Sequence, residues 1–458
     1  MKPKTNKKLF GTDGIRARAG EFPLDLATVR AIGASLAAHL HEETRRRPLI
    51  IIGRDTRESG SSIEEALTMG ARSASAAVES AGVITTPGVA FLARSLPADA
   101  GVVISASHNP YHDNGIKIFA PSGRKLDDAT ERRIEADIAE GRFATISEPK
   151  ACTGDRLTAG SLREKYLEYL RQEVAGELTL RDLKIVLDCA NGAASGLAPR
   201  LFNELGARVI AINDQPDGRN INLGSGSLHI EGLQQRVAAE RADLGIAFDG
   251  DADRALFVDE AANLVDGDAT MWVLANEMQS RGELAQNVVV STVMTNLGLE
   301  VALRARGIRL IRTDVGDKYV LEELLRSATA LGGEQSGHII FPRISLAGDG
   351  MITAINLVRV ITEREESLGR LVQGFSRFPQ VLMNIRVREK IPFNELPTVQ
   401  EKVHRLEAEL GDRGRLLLRY SGTEPLARVM IEGEDEQQVH KSAEELAALI
   451  KAEIGSDG

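Results

Sequence analysis

The feature that most constrains this fold is a unit that recurs three times: an apolar strand, a loop, an amphipathic helix, a glycine and a second apolar strand. In the first copy PLIIIGRD (48 to 55) is the strand, a helix is expected from about 62 to 80, and Gly82 precedes VITT. In the second, LKIVLDCA (183 to 190) leads through a helix near 197 to 205 and Gly206 into ARVIAIN (207 to 213). In the third, NVVVSTV (287 to 293) leads through LGLEVALRARG (297 to 307), ending on Gly307, into IRLIRT (308 to 313). Strands alternating with helices at this spacing form parallel-rich α/β layers. Sequence similarity among the copies is weak, so duplication is inferred from the pattern alone.

A chain of 458 residues exceeds one core, because single cores stop growing near ~250 to 300 residues. After residue 375 the rhythm changes to a strand (381 to 387), a helix (about 393 to 410), a strand pair around RYSGTEP and a last helix (about 436 to 454). That is an α+β domain of another kind. Linker-like punctuation at 148 to 160 and 376 to 379 completes a four-domain expectation of 1–152, 153–255, 256–375 and 376–458.

The formal net charge of −10 argues against nucleic acid as a partner, since phosphate backbones call for a basic surface. An anionic substrate would need a local cationic pocket. No apolar run reaches the roughly 18 residues of a membrane helix. The start MKPKTNKKLF lacks the apolar stretch of a signal peptide, so no membrane association and a cytoplasmic location are expected. Cys152 and Cys189 have no CxxC spacing and read as ordinary buried thiols.

Five segments carry candidate chemistry. In GVVISASHNPYHDNGIKIF (101 to 119) an apolar strand stops at Ser105, Ala106, Ser107, His108, Asn109 and Pro110. Polar loops at strand ends are where ligands bind in α/β proteins, although serine and asparagine beside a proline also make an ordinary turn. Lys117 in the same segment is either a surface strand lysine or a charge near Ser107. In DLGIAFDGDADRALFVDE (243 to 260), Asp249, Asp251 and Asp253 follow an apolar strand at alternate positions. In extended backbone these face one side and can converge on a hard cation. A calcium loop is disfavoured because Arg254 stands where that loop needs glycine, and strands flank it.

In LGGEQSGHIIF (331 to 341), Glu334, Ser336 and His338 lie on a loop expected to be held open by Gly332, Gly333 and Gly337. A carboxylate there can accept hydrogen bonds from sugar hydroxyls, and a plain glycine-rich turn fits as well. In LLLRYSGTEPLARVMIEG (416 to 433), Arg419, Ser421, Thr423 and Arg428, with backbone N–H groups near Gly422, have the makings of a phosphate nest or of a tight hairpin. KLFGTDGIRARAGEFPL (8 to 24) makes a turn at Gly11, Asp13 and Gly14 that presents Arg16. One loop hydroxyl, three carboxylates and separate cationic loops suit phosphoryl transfer, which is mostly positioning and charge neutralisation. No GxxxxGK[ST] motif is present, so a nucleotide donor is not indicated.

The order FGTDGIR, SASHNP, DGDADR, GEQSGH and RYSGTEP, spread from Phe10 to Pro425, resembles the α-D-phosphohexomutase superfamily. The resemblance covers essentially the whole chain. It implies three similar mixed α/β domains and a C-terminal, TATA-binding-protein-like α+β domain around a central cleft. It also implies that Ser107 is the phosphoserine and joins Asp249, Asp251 and Asp253 in holding one Mg²⁺, while Arg254 and Arg16 steady the transferring phosphate. Glu334, Ser336 and His338 would bind the sugar; Arg419, Ser421, Gly422, Thr423 and Arg428 would hold the phosphate that is not reacting. Lys117 and His108 are candidates for proton handling or electrostatics.

ISASHNP, GEQSGH and VGDKYV (315 to 320) look most like the bacterial members that interconvert glucosamine 6-phosphate and glucosamine 1-phosphate. Those enzymes work through a bound 1,6-bisphosphate and feed UDP-N-acetylglucosamine synthesis. A mutase of the same mechanism acting on mannose or glucose phosphates is the alternative. The resemblance implies a monomer or homodimer whose only other partners are sugar phosphates. Asp317 stands where neutral-sugar relatives often differ, and an acidic residue there could face a substrate's amino group.

Overall fold

A computed structural model of the chain describes residues 9–11, 13–143, 157–421 and 425–456. Cys152, Gly422 and Thr423 lie outside the described residues. The chain divides into two compact units, Met1–Val293 with Ile311–Val372, and Met294–Leu310 with Gln373–Gly458.

The first sheet contains β1 (Ile15–Arg18), β2 (Leu49–Arg54), β3 (Ala77–Val83), β4 (Ala100–Ile104) and β5 (Asp113–Phe119), in the order β1-β5-β4-β2-β3. The second contains β6 (Lys184–Asp188), β7 (Arg208–Ile212), β8 (Leu244–Phe248), β9 (Ala255–Val258) and β10 (Leu264–Val265), in the order β10-β9-β8-β6-β7. The third contains β11 (Val288–Thr292), β12 (Arg309–Thr313), β13 (Gly332–Gly333) and β14 (Ile339–Ile340), in the order β12-β11-β13-β14. From one edge each reads second strand, first strand, third strand, antiparallel return strand, and the first two sheets add one further antiparallel edge strand. The repeat seen in sequence is therefore a repeat of topology. The central strands β4 and β8 are buried at every residue, which is why AGVVI and LGIAF read as unbroken apolar runs.

This shared order places the site. Residues 105–112 connect β4 to β5, 249–254 connect β8 to β9, and 334–338 connect β13 to β14. Each is the turn from the third strand into its antiparallel return, so three of the five segments singled out in the sequence occupy one topological position.

Three local expectations need correction. The first repeat's helix is Gly60–Ser73, not 62 to 80; the chain turns at left-handed Ser75 (φ 68°), and Gly82 lies within β3. Gly206 and Gly307 do follow the helices Ala198–Glu204 and Leu297–Ala305 in left-handed conformation, as helix-ending glycines should. Asp249, Asp251 and Asp253 converge through a tight turn, with Ala252 left-handed and its N–H donating to Asp249 O at 3.1 Å, not through extended backbone. Gly332 and Gly333 are strand residues; only Gly337 (φ 90°) is a turn glycine, and a Cβ on it would lie 2.3 Å from Ala255 O.

In the second unit β15 (Gln380–Arg386), β16 (Gly414–Tyr420) and β17 (Leu426–Gly433) form an antiparallel sheet, β15-β17-β16. The helices Pro397–Leu410 and Glu436–Ile454 lay Val399, Val403, Leu406 and Leu410, and Val439, Ala443, Leu446, Ile450 and Ile454, into its core at helical spacing. Asp435 caps the last helix by accepting from the N–H groups of Gln437 and Gln438, which fixes its start where the sequence placed it. The helix Leu297–Ala305 belongs to this unit: its Leu297 N–H donates to buried Glu432 at 3.0 Å, and Glu432 pairs with Arg415 at 3.1 Å. No helix among the described residues is long and apolar enough to cross a membrane.

Candidate active site

Ser107 sits just beyond β4 with φ 53°, a left-handed conformation costly for a residue with a Cβ. A buried scaffold holds it there. Arg57, 1% exposed, donates through Nη2 to Ser107 O (2.9 Å) and Asn109 O (2.8 Å), and through Nη1 to Asp113 O (2.9 Å) and Pro110 O. Its Nε is paired with Asp55 at 2.8 Å. Asp55 also accepts from Ser105 Oγ (2.6 Å), and Ser105 Oγ accepts from Ser107 N–H (2.9 Å). From the second repeat, Asn222 Nδ2 donates to Ser107 O at 2.9 Å. Gly250 is required by this approach, because a Cβ there would lie 2.6 Å from Ser107 O.

The Ser107 hydroxyl donates to Asp249 Oδ2 at 2.6 Å and lies 3.3 Å from His108 Nδ1. Asp249, Asp251 and Asp253 each offer one oxygen, all within 4.8 Å of one another. Burial and the charges of Asp253 and Asp251 push the Asp249 carboxyl well above the usual range. Asp251 Oδ1 and Asp253 Oδ1 are buried and accept no hydrogen bond. Three converging carboxylates, two of them with a buried oxygen that accepts no hydrogen bond, fit an oxygen-ligated divalent cation, whose charge would offset their mutual repulsion.

Lys117 is no surface lysine. It is 2% exposed, and its Nζ lies 3.0 Å from Asp251, 3.3 Å from Asp253 and 3.1 Å from Asp13. Burial opposes its charge, but these carboxylates outweigh burial and hold its pKa well above normal. His108 goes the other way: burial and then Arg254 and Arg16 lower it to about 4, leaving a neutral ring at pH 7. Burial also opposes the charge on His338, yet Asp253, with Asp317 and Glu334, raises it to about 9. Asp13 gathers Arg16, Lys117 and Lys125; burial alone would raise its pKa, and these cations pull it far below the usual range.

A cavity of about 470 Å³ is lined by Arg16, His108, Asp253, Arg254, Glu334 and His338 among others. Ser107 itself is buried beneath this lining. Ser336 Oγ donates to Glu334 Oε2 at 3.5 Å. The structure thus brings Ser107, His108, Lys117, Arg16, Arg254, Glu334, Ser336, His338 and the three aspartates into one unit. Arg419, Ser421 and Arg428 belong to the other. There Arg419 and Arg428 are direct cross-strand partners, and Lys390 Nζ donates to Ser421 O.

Asp317 does not present a free charge to a substrate amino group. Its Oδ2 takes Lys125 Nζ, and its Oδ1 accepts from Lys318 N–H at 2.9 Å. The sequence reading missed Arg57, Asp55, Asn222 and Lys125 as site residues. Asp55 and Arg57 in DTR (55 to 57) carried a signal, since charges shortly after the apolar run LIII stand at a strand's carboxyl end.

A hydroxyl on a clamped loop, a carboxylate trio for a cation and flanking guanidinium groups define an enzyme that transfers phosphoryl groups. Four family descriptions of phosphoglucomutase/phosphomannomutase match along the chain: α/β/α domain I at residues 7–145, domain II at 164–263, domain III at 266–378 and the C-terminal domain at 382–449. The chain is 50% identical over 452 residues to a phosphoglucosamine mutase of Solibacter usitatus, covering 98% of this chain and 99% of the relative. Among solved structures it resembles a phosphoglucomutase/phosphomannomutase family protein of Burkholderia thailandensis (TM-score 0.79, 24% identity, 97% of each chain covered). It also resembles an N-acetylphosphoglucosamine mutase of Aspergillus fumigatus in complex with GlcNAc-6P and magnesium (TM-score 0.62, 18% identity, 99% and 97% covered). The chain belongs to the phosphoglucomutase/phosphomannomutase family of the α-D-phosphohexomutase superfamily, whose members are intramolecular phosphotransferases of the isomerase class.

Proposed function

We propose that the chain interconverts glucosamine 6-phosphate and glucosamine 1-phosphate through phosphoserine 107 and a bound glucosamine 1,6-bisphosphate. The observation that carries the mechanism is the Ser107 hydroxyl, 2.6 Å from Asp249 at the edge of the carboxylate trio. The near-full-length likeness to a phosphoglucosamine mutase supports the choice of sugar. The domain limits we propose are 1–152, 153–265, 266–375 and 376–458; the second reaches past 255 because a border there would cut β9 and β10 from the sheet they complete.

In the first half-reaction the P–Oγ bond of phosphoserine 107 breaks as the free C1 hydroxyl of the 6-phosphate bonds to phosphorus, and the proton that hydroxyl loses ends on Oγ, giving the bisphosphate and a free Ser107. After the bisphosphate turns around, Ser107 Oγ bonds to the 6-phosphorus as the P–O6 bond breaks, O6 takes up a proton, and the 1-phosphate leaves. The Ser107 hydroxyl proton then has two acceptors in reach, Asp249 at 2.6 Å and His108 at 3.3 Å. Arg254 and Arg16, on the cavity wall, offset charge on the moving phosphoryl group, and Glu334 with Ser336 takes the sugar hydroxyls. Asp249, Asp251, Asp253 and Ser107 would hold one Mg²⁺, which when bound neutralises charge on the phosphoryl oxygens. The non-reacting phosphate falls to Arg419, Ser421, Gly422, Thr423 and Arg428. Arg419 and Arg428, directly opposite each other on paired strands, support this by bringing two guanidinium-bearing positions to one place on the sheet.

Relative kcat/KM on glucosamine, glucose and mannose 6-phosphates tests the reading. Glucosamine 6-phosphate is expected to lead by at least ~10-fold, the scale of a few lost polar contacts. Equal values would favour a phosphoglucomutase or phosphomannomutase, and accumulating free phosphate would indicate hydrolysis. Mass spectrometry should find about 80 Da added to the intact protein and, after digestion, on the peptide carrying Ser107.

A further inference from the structure

Lys125 has no role in the steps above, yet it ties the first repeat to the loop beside the sugar-binding residues. It lies just past β5 on a tight return in which left-handed Gly123 turns the chain, Ala120 N–H donates to Arg124 O, and Leu126 N–H donates to Ile118 O, both at 2.8 Å. That return fixes its backbone against the strand carrying Lys117. Its ammonium bridges Asp13 of the first repeat and Asp317 of the third.

Asp317 begins the helix Asp317–Arg326, and the residue before it, Gly316, donates its N–H to Glu334 Oε1 at 3.1 Å. A continuous path therefore runs from Asp13 through Lys125 and Asp317 to the backbone that orients the Glu334 carboxylate. A second ion pair between the same repeats, Lys318–Asp128 at 2.6 Å, is 40% and 56% exposed and contributes little for that reason. The Lys125 bridge is only 22–27% exposed. Without its ammonium, Asp13 would keep Arg16 and Lys117, and Asp317 would keep His338 at 3.9 Å, but no charge would draw the two carboxylates together. A second cavity of about 500 Å³, lined by Lys125, Asp317 and Lys318 together with Lys117, Asp253 and His338, adjoins the bridge.

We propose that Lys125 is a positioning residue: by drawing Asp317 toward Asp13 it holds the 315–317 loop where the Gly316 N–H sets the Glu334 carboxylate for the sugar. This rests on the reading of Glu334 as a sugar-binding residue. Lys125→Met is expected to lower kcat/KM for glucosamine 6-phosphate by ~10- to 100-fold, the scale of a lost charge-assisted contact. Phosphoserine content and melting temperature should stay near the native values, and Lys125→Arg, which can still span two carboxylates, should recover most of the loss. Since Lys125 acts through Glu334, Lys125→Met combined with Glu334→Gln should be no more than ~2-fold slower than Glu334→Gln alone. Losses that multiply, or an unimpaired Lys125→Met, would overturn the proposal. Should Lys125→Met not fold, Asp317→Asn tests the same path: it should show the same coupling to Glu334→Gln and slow amino and neutral sugar phosphates by the same factor. A fully active Glu334→Gln would instead remove the sugar-binding reading on which the proposal stands.

Discussion

Ser107→Ala is expected to abolish mutase turnover, by ~10⁴-fold or more, as removal of a covalent nucleophile does elsewhere. Alanine keeps the Cβ and removes only the oxygen to which phosphorus bonds. The variant also strips Asp249 of the hydroxyl donor 2.6 Å away, a change of about 1–3 kcal/mol in stability for a buried acceptor. That cost is too small to unfold a protein with a core in each repeat, so lost activity would report chemistry rather than folding. Ser107→Gly provides the control. At φ 53° glycine relieves the left-handed strain, so this variant should be more stable than Ser107→Ala by about 1 kcal/mol while equally inactive. Label transfer from a ³²P-labelled hexose 1,6-bisphosphate reads the covalent step directly: the native protein should take up label and both variants none. Turnover in Ser107→Ala within ~10-fold of native would remove phosphoserine from the mechanism.

What was legible in the sequence follows from what each residue does alone. The all-buried strands AGVVI and LGIAF announce themselves because both faces of a central strand need apolar side chains. The candidate site loops were legible because polar residues crowd together directly after such strands. Helix ends were legible where glycine took the left-handed position, at Gly206 and Gly307, and were misplaced where Ser75 took it. No rule of composition marks a serine for that conformation. The DGDADR carboxylates do converge, but by another geometry than extended backbone: a turn gathers them, and Gly250 is there to let that turn reach Ser107 O.

Residues whose meaning depends on which repeat packs on which were not legible. Lys125 is an unremarked charge in PSGRKL until Asp317, 192 positions away, lies beside it. The proposed electrostatic contact of Asp317 with an amino sugar failed for the same reason, because an internal lysine already takes that carboxylate. Asn222 likewise reads as a loop residue until the second repeat brings it to Ser107 O, 115 positions away. The shared place of the three candidate site loops, each joining a third strand to its antiparallel return, also needed strand order, which sequence spacing does not contain.

Arg57→Met should show how far the chemistry depends on that hidden scaffold. The guanidinium donates to four loop carbonyls and to Asp55, and methionine of similar length donates to none. Asn222 still serves Ser107 O and Asn109 O, so the loop keeps part of its anchorage. Removing one member of a buried ion pair costs about 3–5 kcal/mol, and a nucleophile displaced by an ångström loses ~10²-fold in kcat. The pH dependence separates this account from generic damage. Burial already raises the Asp55 pKa, and Arg57 is the strongest influence lowering it, so the variant's Asp55 moves higher still. A carboxyl whose folded pKa exceeds its unfolded value contributes stability that is present at low pH and lost as pH rises through the folded pKa. The stability gap between Arg57→Met and the native protein should therefore narrow as pH falls toward the ordinary carboxylate range. Adding Asp55→Asn, which removes the stranded charge, should recover part of the loss at neutral pH. Urea unfolding at pH 5 and pH 7.5 would read both effects. A gap independent of pH, together with additive losses in the double variant, would mean that Arg57 acts by packing alone and that the Ser107 loop does not need its charge.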